Sequence, residues 1–139
     1  MSVQIEKTDD LAACLALRHA VFVVEQGVPV EEEADAQDET ATHFAAMDNG
    51  RLVGTARIVV AGDLGKIGRV CVAQSHRGRG LGAALIGACL TELGARGVRR
   101  ARLGAQVAAI GFYERLGFAV TSDAYDDAGI PHVDMERQV

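Results

Sequence analysis

The chain has 139 residues, 49% apolar and 24% charged, with 14 Lys and Arg against 19 Asp and Glu for a net charge of −5. That balance predicts one globular domain spanning 1–139, long enough to bury a core, and its acidity, with no basic tail, argues against nucleic acid as a partner. The opening MSVQIEKTDD is too polar for a signal peptide and no apolar run nears the roughly 18 residues of a membrane span, so a cytoplasmic protein with no membrane partner is expected.

VQIEK (3–7) alternates as a short strand. Thr8 or Asp9 can cap a following helix, in which Leu11, Cys14, Leu15 and Phe22 recur at helical spacing. GVPVEEEADAQDETA then breaks the pattern with a proline and a run of acids, and reads as loop or short helix. HFAAMD and RLVGTARIVVA flank Asn49-Gly50, a strong hairpin signal. After the turn GDLG comes a third strand, KIGRVCV (66–72). Residues 80–95 form a helix by the spacing of Gly82, Leu85, Ile86, Cys89, Leu90 and Leu93. RARLGA (100–105) is strand-like, and AAIGFYERL (108–116) is a short helix ended by Gly117. FAVTSDAY and PHVDMER complete the chain as two strands, with Gly129 and Pro131 marking the turn between them.

Hairpins followed by a β-α-β crossover predict an α+β, three-layer α/β/α domain with a mixed sheet and helices on both faces. Cys14, Cys71 and Cys89 sit in apolar segments at no metal-like spacing, so they read as small core residues of a reducing compartment and no metal site is expected.

The segment Arg77-Gly78-Arg79-Gly80-Leu81-Gly82 lies between a strand and a helix. Glycines there allow positive φ and remove the Cβ atoms that keep a ligand off the backbone. Successive N–H groups and the positive end of a helix dipole suit an anion, and two arginines add charge-assisted donors, so a pyrophosphate fits. The P-loop pattern is absent, since no Lys-Ser or Lys-Thr follows, and G-x-G-x-G is not the dinucleotide spacing G-x-G-x-x-G. Taken alone, the loop is also compatible with an ordinary glycine-rich turn carrying solvated arginines.

The loop has the form [QR]-x-x-G-x-[GA], carried by Arg77, Gly80 and Gly82, with RVCV before it and FYERLGF at 112–118 after it. In this the chain resembles the GNAT superfamily of acetyl-CoA-dependent N-acetyltransferases over nearly its whole length. VFVVEQGVP, the acids Glu33, Asp35 and Asp38, His43, GAQ at 104–106 and GIPHVDM are similar to the ElaA/YjcF-like subgroup. The resemblance implies the acyl-CoA N-acyltransferase fold, a mostly antiparallel sheet splayed at its central parallel strands, here 66–72 and 100–105. It implies acetyl-CoA as co-substrate, with the amides of Arg77, Gly78, Arg79, Gly80, Leu81 and Gly82 around the pyrophosphate and Val70, Cys71 and Val72 along the pantetheine arm. Phe112 and Ala109 join that binding wall. Gln106 stands where many GNAT proteins have an asparagine that bonds the pantetheine, and offers the same groups one methylene further out.

Attack of an amine on a thioester needs a neutral amine, a donor for the carbonyl oxygen and a proton for the departing thiolate. The Val72 N–H is the candidate donor, by its place at the strand end. Tyr113 matches the tyrosine of the family's FY pair and is turned about 100° from Phe112, so it is the candidate acid. An anchoring role through packing alone is its alternative. On the acceptor side, Glu25, Gln26, Glu33, Asp35, Asp38, His43 and His132 are candidates for proton removal or amine recognition, and no single base stands out among them. The acid run 31–39 is either a solvated face or a lure for a cationic amine. Arg69, on the same strand side as Cys71, faces an acceptor carboxylate or an internal acid. Arg96, Arg99, Arg100 and Arg102 read as solvated strand-edge charge, or as contacts to the coenzyme 3′-phosphate.

The expected activity is therefore transfer of an acetyl group to a small-molecule primary amine by direct attack. A non-catalytic acyl-CoA-sensing module and a protein N-acetyltransferase are the alternatives. The final strands pair subunits in many GNAT proteins, so a homodimer is compatible with the resemblance.

Overall fold

A computed structural model describes residues 3–139; the first two residues of the polar opening lie outside the described residues. β1 (Gln4–Thr8) leads into α1 (Leu11–Arg18), which continues as a π-helical segment, His19–Glu25. The cap is Asp10, not Thr8 or Asp9: its Oδ1 accepts from Ala13 N–H at 3.0 Å, while Thr8 Oγ1 accepts from Asp10 N–H. The acidic stretch forms α2 (Val30–Glu33) and a 3₁₀ turn, Ala36–Glu39. β2 (Thr42–Asp48), β3 (Arg51–Ala61) and β4 (Leu64–Val72) are consecutive antiparallel strands. Asn49 and Gly50 turn between the first two with φ of 50° and 78°, the primed geometry that matches strand twist.

α3 (Leu81–Ala95) crosses over to β5 (Arg100–Gln106), which is parallel to β4. A 3₁₀ turn and α4 (Ile110–Arg115) return the chain to the last strands, β6 (Ala119–Val120), β7 (Tyr125–Asp127) and β8 (Ile130–Gln138). The sheet order is β1-β2-β3-β4-β5-β8-β6, with β7 also on β8. FAVTSDAY, expected as one strand, is thus two short ones. Between them the Ser122 hydroxyl accepts from Asp134 N–H at 2.8 Å and donates to the Asp123 carbonyl, so local polar groups replace the ladder.

Alternation sorts the strands onto two faces. Phe44, Ala46, Val53, Ala56, Ile58, Ile67, Leu103 and Met135 bury one face against Leu85, Ile86, Cys89 and Leu93 of α3. At about 1.5–3 kcal/mol for each fully buried aliphatic side chain, this is the main core. The opposite face carries His43, Thr55, Arg57 and Cys71 beneath α1, where Cys14 and Arg18 are buried. All three cysteines are buried and unpaired, as core residues should be. Among the described residues no helix is long and apolar enough to cross a membrane.

Candidate active site

The site begins where β4 and β5 part. Their parallel pairing covers only Leu64–Lys66 against Arg100–Arg102. β5 itself stays locked to β8 along its whole length through seven residue pairs, Arg100↔Gln138 to Gln106↔His132. β4 bends away at a bulge: Arg57 pairs with Gly68 and Thr55 with Cys71, so Arg69 and Val70 together oppose Ala56. Arg69 takes φ of +53°, a left-handed conformation costing a non-glycine residue about 1–3 kcal/mol. It is held there by its own guanidinium, which donates to the carbonyls of Glu33 (3.0 Å) and Glu32 (3.4 Å) and to Asp35 Oδ2 (3.3 Å).

The gap is a cavity of about 380 Å³ lined from both strands, from the π-helical segment, from α4 and from the β7–β8 hairpin. Just past the end of β4, Ala73 N–H bonds the Val53 carbonyl at 2.8 Å. Successive strand amides alternate in direction, so the Val72 N–H turns away from β3, toward the gap.

One wall rests on a buried ion cluster. Arg18, 1% exposed, falls on the same helical stripe as Leu11, Cys14 and Leu15. It donates to Glu33 (2.6 Å) and Asp38 (2.8 Å). Arg57 donates to Asp35 through both terminal nitrogens (2.7 and 2.8 Å) and to Asp38 (2.8 Å). Burial opposes ionisation of Asp38, yet hydrogen bonds and charge from Arg18 and Arg57 outweigh it and hold the carboxyl at about 2. The Arg57 hydrogen bond likewise lowers Asp35. His43 is buried beside them with Nε2 on the Asp38 carbonyl at 2.9 Å. Three carboxylates of the acid run are therefore neutralised by arginines from α1, β3 and β4, and they pin the loop against the sheet.

Gly78 and Gly80 take φ of 78° and 77°, and among the described residues no atom beyond the immediate chain neighbours lies within 4 Å of where a Cβ would stand at either. Gly80 is the residue before α3, so the first N–H groups of that helix open onto the loop. Leu81 is buried in the core and fixes the helix start. Arg77 bridges two elements, with Nε on the Val72 carbonyl (3.0 Å) and both terminal nitrogens on Glu25 (2.9 and 3.0 Å). Arg79 follows in the same loop. Phe112 packs edge-on to Tyr113 and lies 3.7 Å from a Cβ built at Gly82.

Tyr113 reaches the cavity from α4, and burial raises its phenol above the ordinary range. Across the gap, Gln106 donates to Gln26 Oε1 at 3.0 Å, tying β5 to the end of the π-helical segment. His132 is opposite Gln106 in the β5–β8 register. Its Nδ1 lies 2.7 Å from the Ile130 carbonyl, and Tyr125 stacks on its ring at 6.1 Å and 24°. Tyr125 in turn donates to Asp134 at 2.7 Å. The phenol lies so close over β5 that a Cβ at Gly104 would stand 2.9 Å from it.

The cavity thus gathers Gln26, Glu33, Arg69, Val70, Gln106, Ala109, Tyr113 and His132 of the expected residues. Asp35, Asp38 and His43 do not line it; they act on its wall. Arg69 meets an internal acid, Asp35, rather than open space. Arg96 pairs with Glu92, and Arg100 and Arg102 with Glu136. Arg18, Arg57 and Tyr125 were not foreseen. An arginine on an apolar helical stripe was the available signal for Arg18, and an inward-facing arginine on an otherwise apolar strand for Arg57.

A family model described as "Acetyltransferase (GNAT) domain" matches residues 6–139. The chain is 36% identical to the N-acetyltransferase YjcF of Bacillus subtilis (strain 168), over 99% of each protein. It is 37% identical to ElaA of Escherichia coli (strain K12), over 93% of this chain and 88% of that one. The crystal structure of Escherichia coli ElaA superposes with a TM-score of 0.88 at 32% identity, covering 98% and 99% of the two chains. An acyl-CoA N-acyltransferase from Pseudomonas aeruginosa gives 0.87 at 31% identity, with 98% of each chain covered. The parting of β4 from β5 and the glycine loop before α3 agree with the fold that the resemblance implied. The chain belongs to the GNAT family of acetyltransferases, and acetyl-CoA is its co-substrate.

Proposed function

We propose that this chain moves the acetyl group of acetyl-CoA onto a primary amine by direct attack within the β4–β5 gap. The observation that carries the reading is the parting of β4 from β5: the gap between them is a cavity lined by Val70 of β4 and by Tyr113, and the chain runs on from β4 into the glycine loop at the start of α3. The β4 edge from Val70 to Val72 can pair with the amides of the pantetheine arm as another strand would. The N–H groups of 78–82 and the α3 dipole suit the pyrophosphate, with Arg77 and Arg79 adding charge. Gln106 and Ala109 border the arm from β5 and the turn that follows, and Phe112 backs Gly82.

The Val72 N–H stabilises the charge that develops on the thioester oxygen. Tyr113 hands its proton to the departing sulfur. Its phenol makes no hydrogen bond among the described residues, and burial keeps it protonated at neutral pH. A buried phenol is a weaker acid than a thiol, whose ordinary pKa is about 8.5. The transfer therefore runs uphill, placing its benefit at the low end of the range of about 10²–10⁴ for acid catalysis.

The acceptor enters from the α1 side, past Gln26 and Glu32. Glu25 holds Arg77, while Asp35, Asp38 and His43 support the wall that the amine passes. Thiol release is to be measured with spermidine, lysine, glucosamine and tetra-alanine as acceptors. Amine-dependent release supports the reading. Coenzyme binding without release on any of them contradicts it.

A further inference from the structure

We propose that His132 is the general base that takes the proton from the acceptor ammonium, with Nε2 as the accepting atom; this rests on the reading above and names the proton acceptor it leaves open. A carbonyl oxygen can only accept, so the 2.7 Å contact between Nδ1 and the Ile130 carbonyl fixes the neutral ring as the Nδ1–H tautomer. Nε2 is left with its lone pair and makes no hydrogen bond among the described residues. His132 is 9% exposed as a residue and lines the cavity shared with Tyr113.

Three features hold the ring in place. Tyr125 stacks on one face, and the Tyr125 hydroxyl is anchored on Asp134. The missing side chain at Gly104 lets that phenol lie over β5. Burial and the Asp134 bond push the Tyr125 phenol up to about 12, so it stays a donor and does not compete for the proton. His43 also rests one ring nitrogen, Nε2, on a carbonyl, which leaves its lone pair on Nδ1, but it sits in the ion cluster and does not line the cavity.

The charged groups bordering the same cavity favour this assignment. Glu33 is neutralised by Arg18, and Arg69 is turned onto Asp35 and two carbonyls. Glu32 and Asp127 are the remaining acids, facing Lys66 as the remaining cation, so a cationic amine meets net negative charge on its way to Nε2.

The steps balance. The ammonium R–NH₃⁺ gives one proton to Nε2, which leaves neutral R–NH₂ and a doubly protonated imidazole. The nitrogen lone pair forms the C–N bond, and the C–S bond breaks with its electrons to sulfur. Tyr113 protonates that sulfur and regains a proton from the new amide nitrogen through solvent, and His132 returns its own to bulk water.

The first readout needs no acceptor. Long-range ¹H–¹⁵N NMR of histidine-labelled protein at pH 8 should show His132 as the Nδ1–H tautomer, and an Nε2–H tautomer overturns the assignment. The second compares wild type with His132→Gln on the panel amine that releases thiol fastest. At pH 7 kcat/KM should fall about 100-fold, with the affinity for coenzyme A unchanged. The deficit should shrink as pH rises and the amine deprotonates itself. It should also be smaller for the α-amine of tetra-alanine, near pKa ~7.8, than for a lysine-type amine near ~10.4. A loss that is equal at every pH, or equal for both amines, marks a purely structural histidine and sinks the proposal. Failure of the wild type on all four amines counts against the transferase reading itself, and the NMR tautomer still decides the fate of His132.

Discussion

Replacing Asp38 by Asn changes one atom and tests the ion cluster that builds the acceptor wall. The native carboxylate accepts two bonds from Arg18 (2.8 and 3.1 Å) and one from Arg57 (2.8 Å). Asn keeps the shape but turns one oxygen into a donor facing a guanidinium. Breaking a buried ion pair costs about 3–5 kcal/mol. Arg18 retains Glu33 and Arg57 retains Asp35, so the lower figure, about 3 kcal/mol, applies. Proton linkage gives an independent value. Asp38 sits at about 2 against an ordinary 3.8, and at 1.36 kcal/mol per unit that is about 2 kcal/mol at neutral pH.

The sign follows from the depressed value. The contribution is fully present above pH ~4 and falls as pH drops toward 2, with about half left at pH 3. For a chain of this size the loss lowers Tm by roughly 10 °C. The assay is thermal and urea unfolding of wild type and D38N at pH 7 and pH 3. A large gap at pH 7 that narrows at pH 3 is expected. A variant melting within 2 °C of wild type at pH 7, or a gap independent of pH, would refute the reasoning.

Tyr113→Phe should lower turnover about 100-fold with coenzyme affinity intact by calorimetry; equal rates would remove the acid assignment. Gly104→Ala should displace Tyr125, because the new Cβ would lie 2.9 Å from its hydroxyl. An altered Tyr125 environment, read by tyrosine ring NMR, is the expected result, with a normal Tm change of no more than a few degrees. Burial pushes the Cys71 and Cys89 thiols up to about 12, so neither should react with Ellman's reagent in the native state at pH 8. Rapid labelling without denaturant would contradict their placement in the core.

Much of the fold was legible because its strongest signals are local. The Asn49-Gly50 turn, the apolar stripe of α3 and the break at Gly117 each depend on residues close in sequence. The glycine loop was legible for the same reason. The acid run was not, because its meaning lies in charged partners 15 to 34 residues away: Arg18 and Glu33 are 15 apart, Arg69 and Asp35 are 34 apart. Read locally, such a run looks solvated; folded, it is the counter-charge for three arginines. The split of FAVTSDAY was hidden for a related reason, since Ser122 meets Asp134 only after β8 has folded back. The stacked Tyr125 and His132 lie seven residues apart across a hairpin whose turn the sequence marks, but Gly104, which gives the phenol room, comes from another strand.

The central claim concerns the β4 edge and the loop beyond it, and it is tested most directly by a ¹H–¹⁵N titration of the protein with acetyl-CoA. Saturable amide shifts should cluster at Val70, Val72 and residues 78–82, with the ladder amides of β2 and β3 unmoved. Binding that leaves those amides unchanged, or no binding at millimolar coenzyme, would contradict the account.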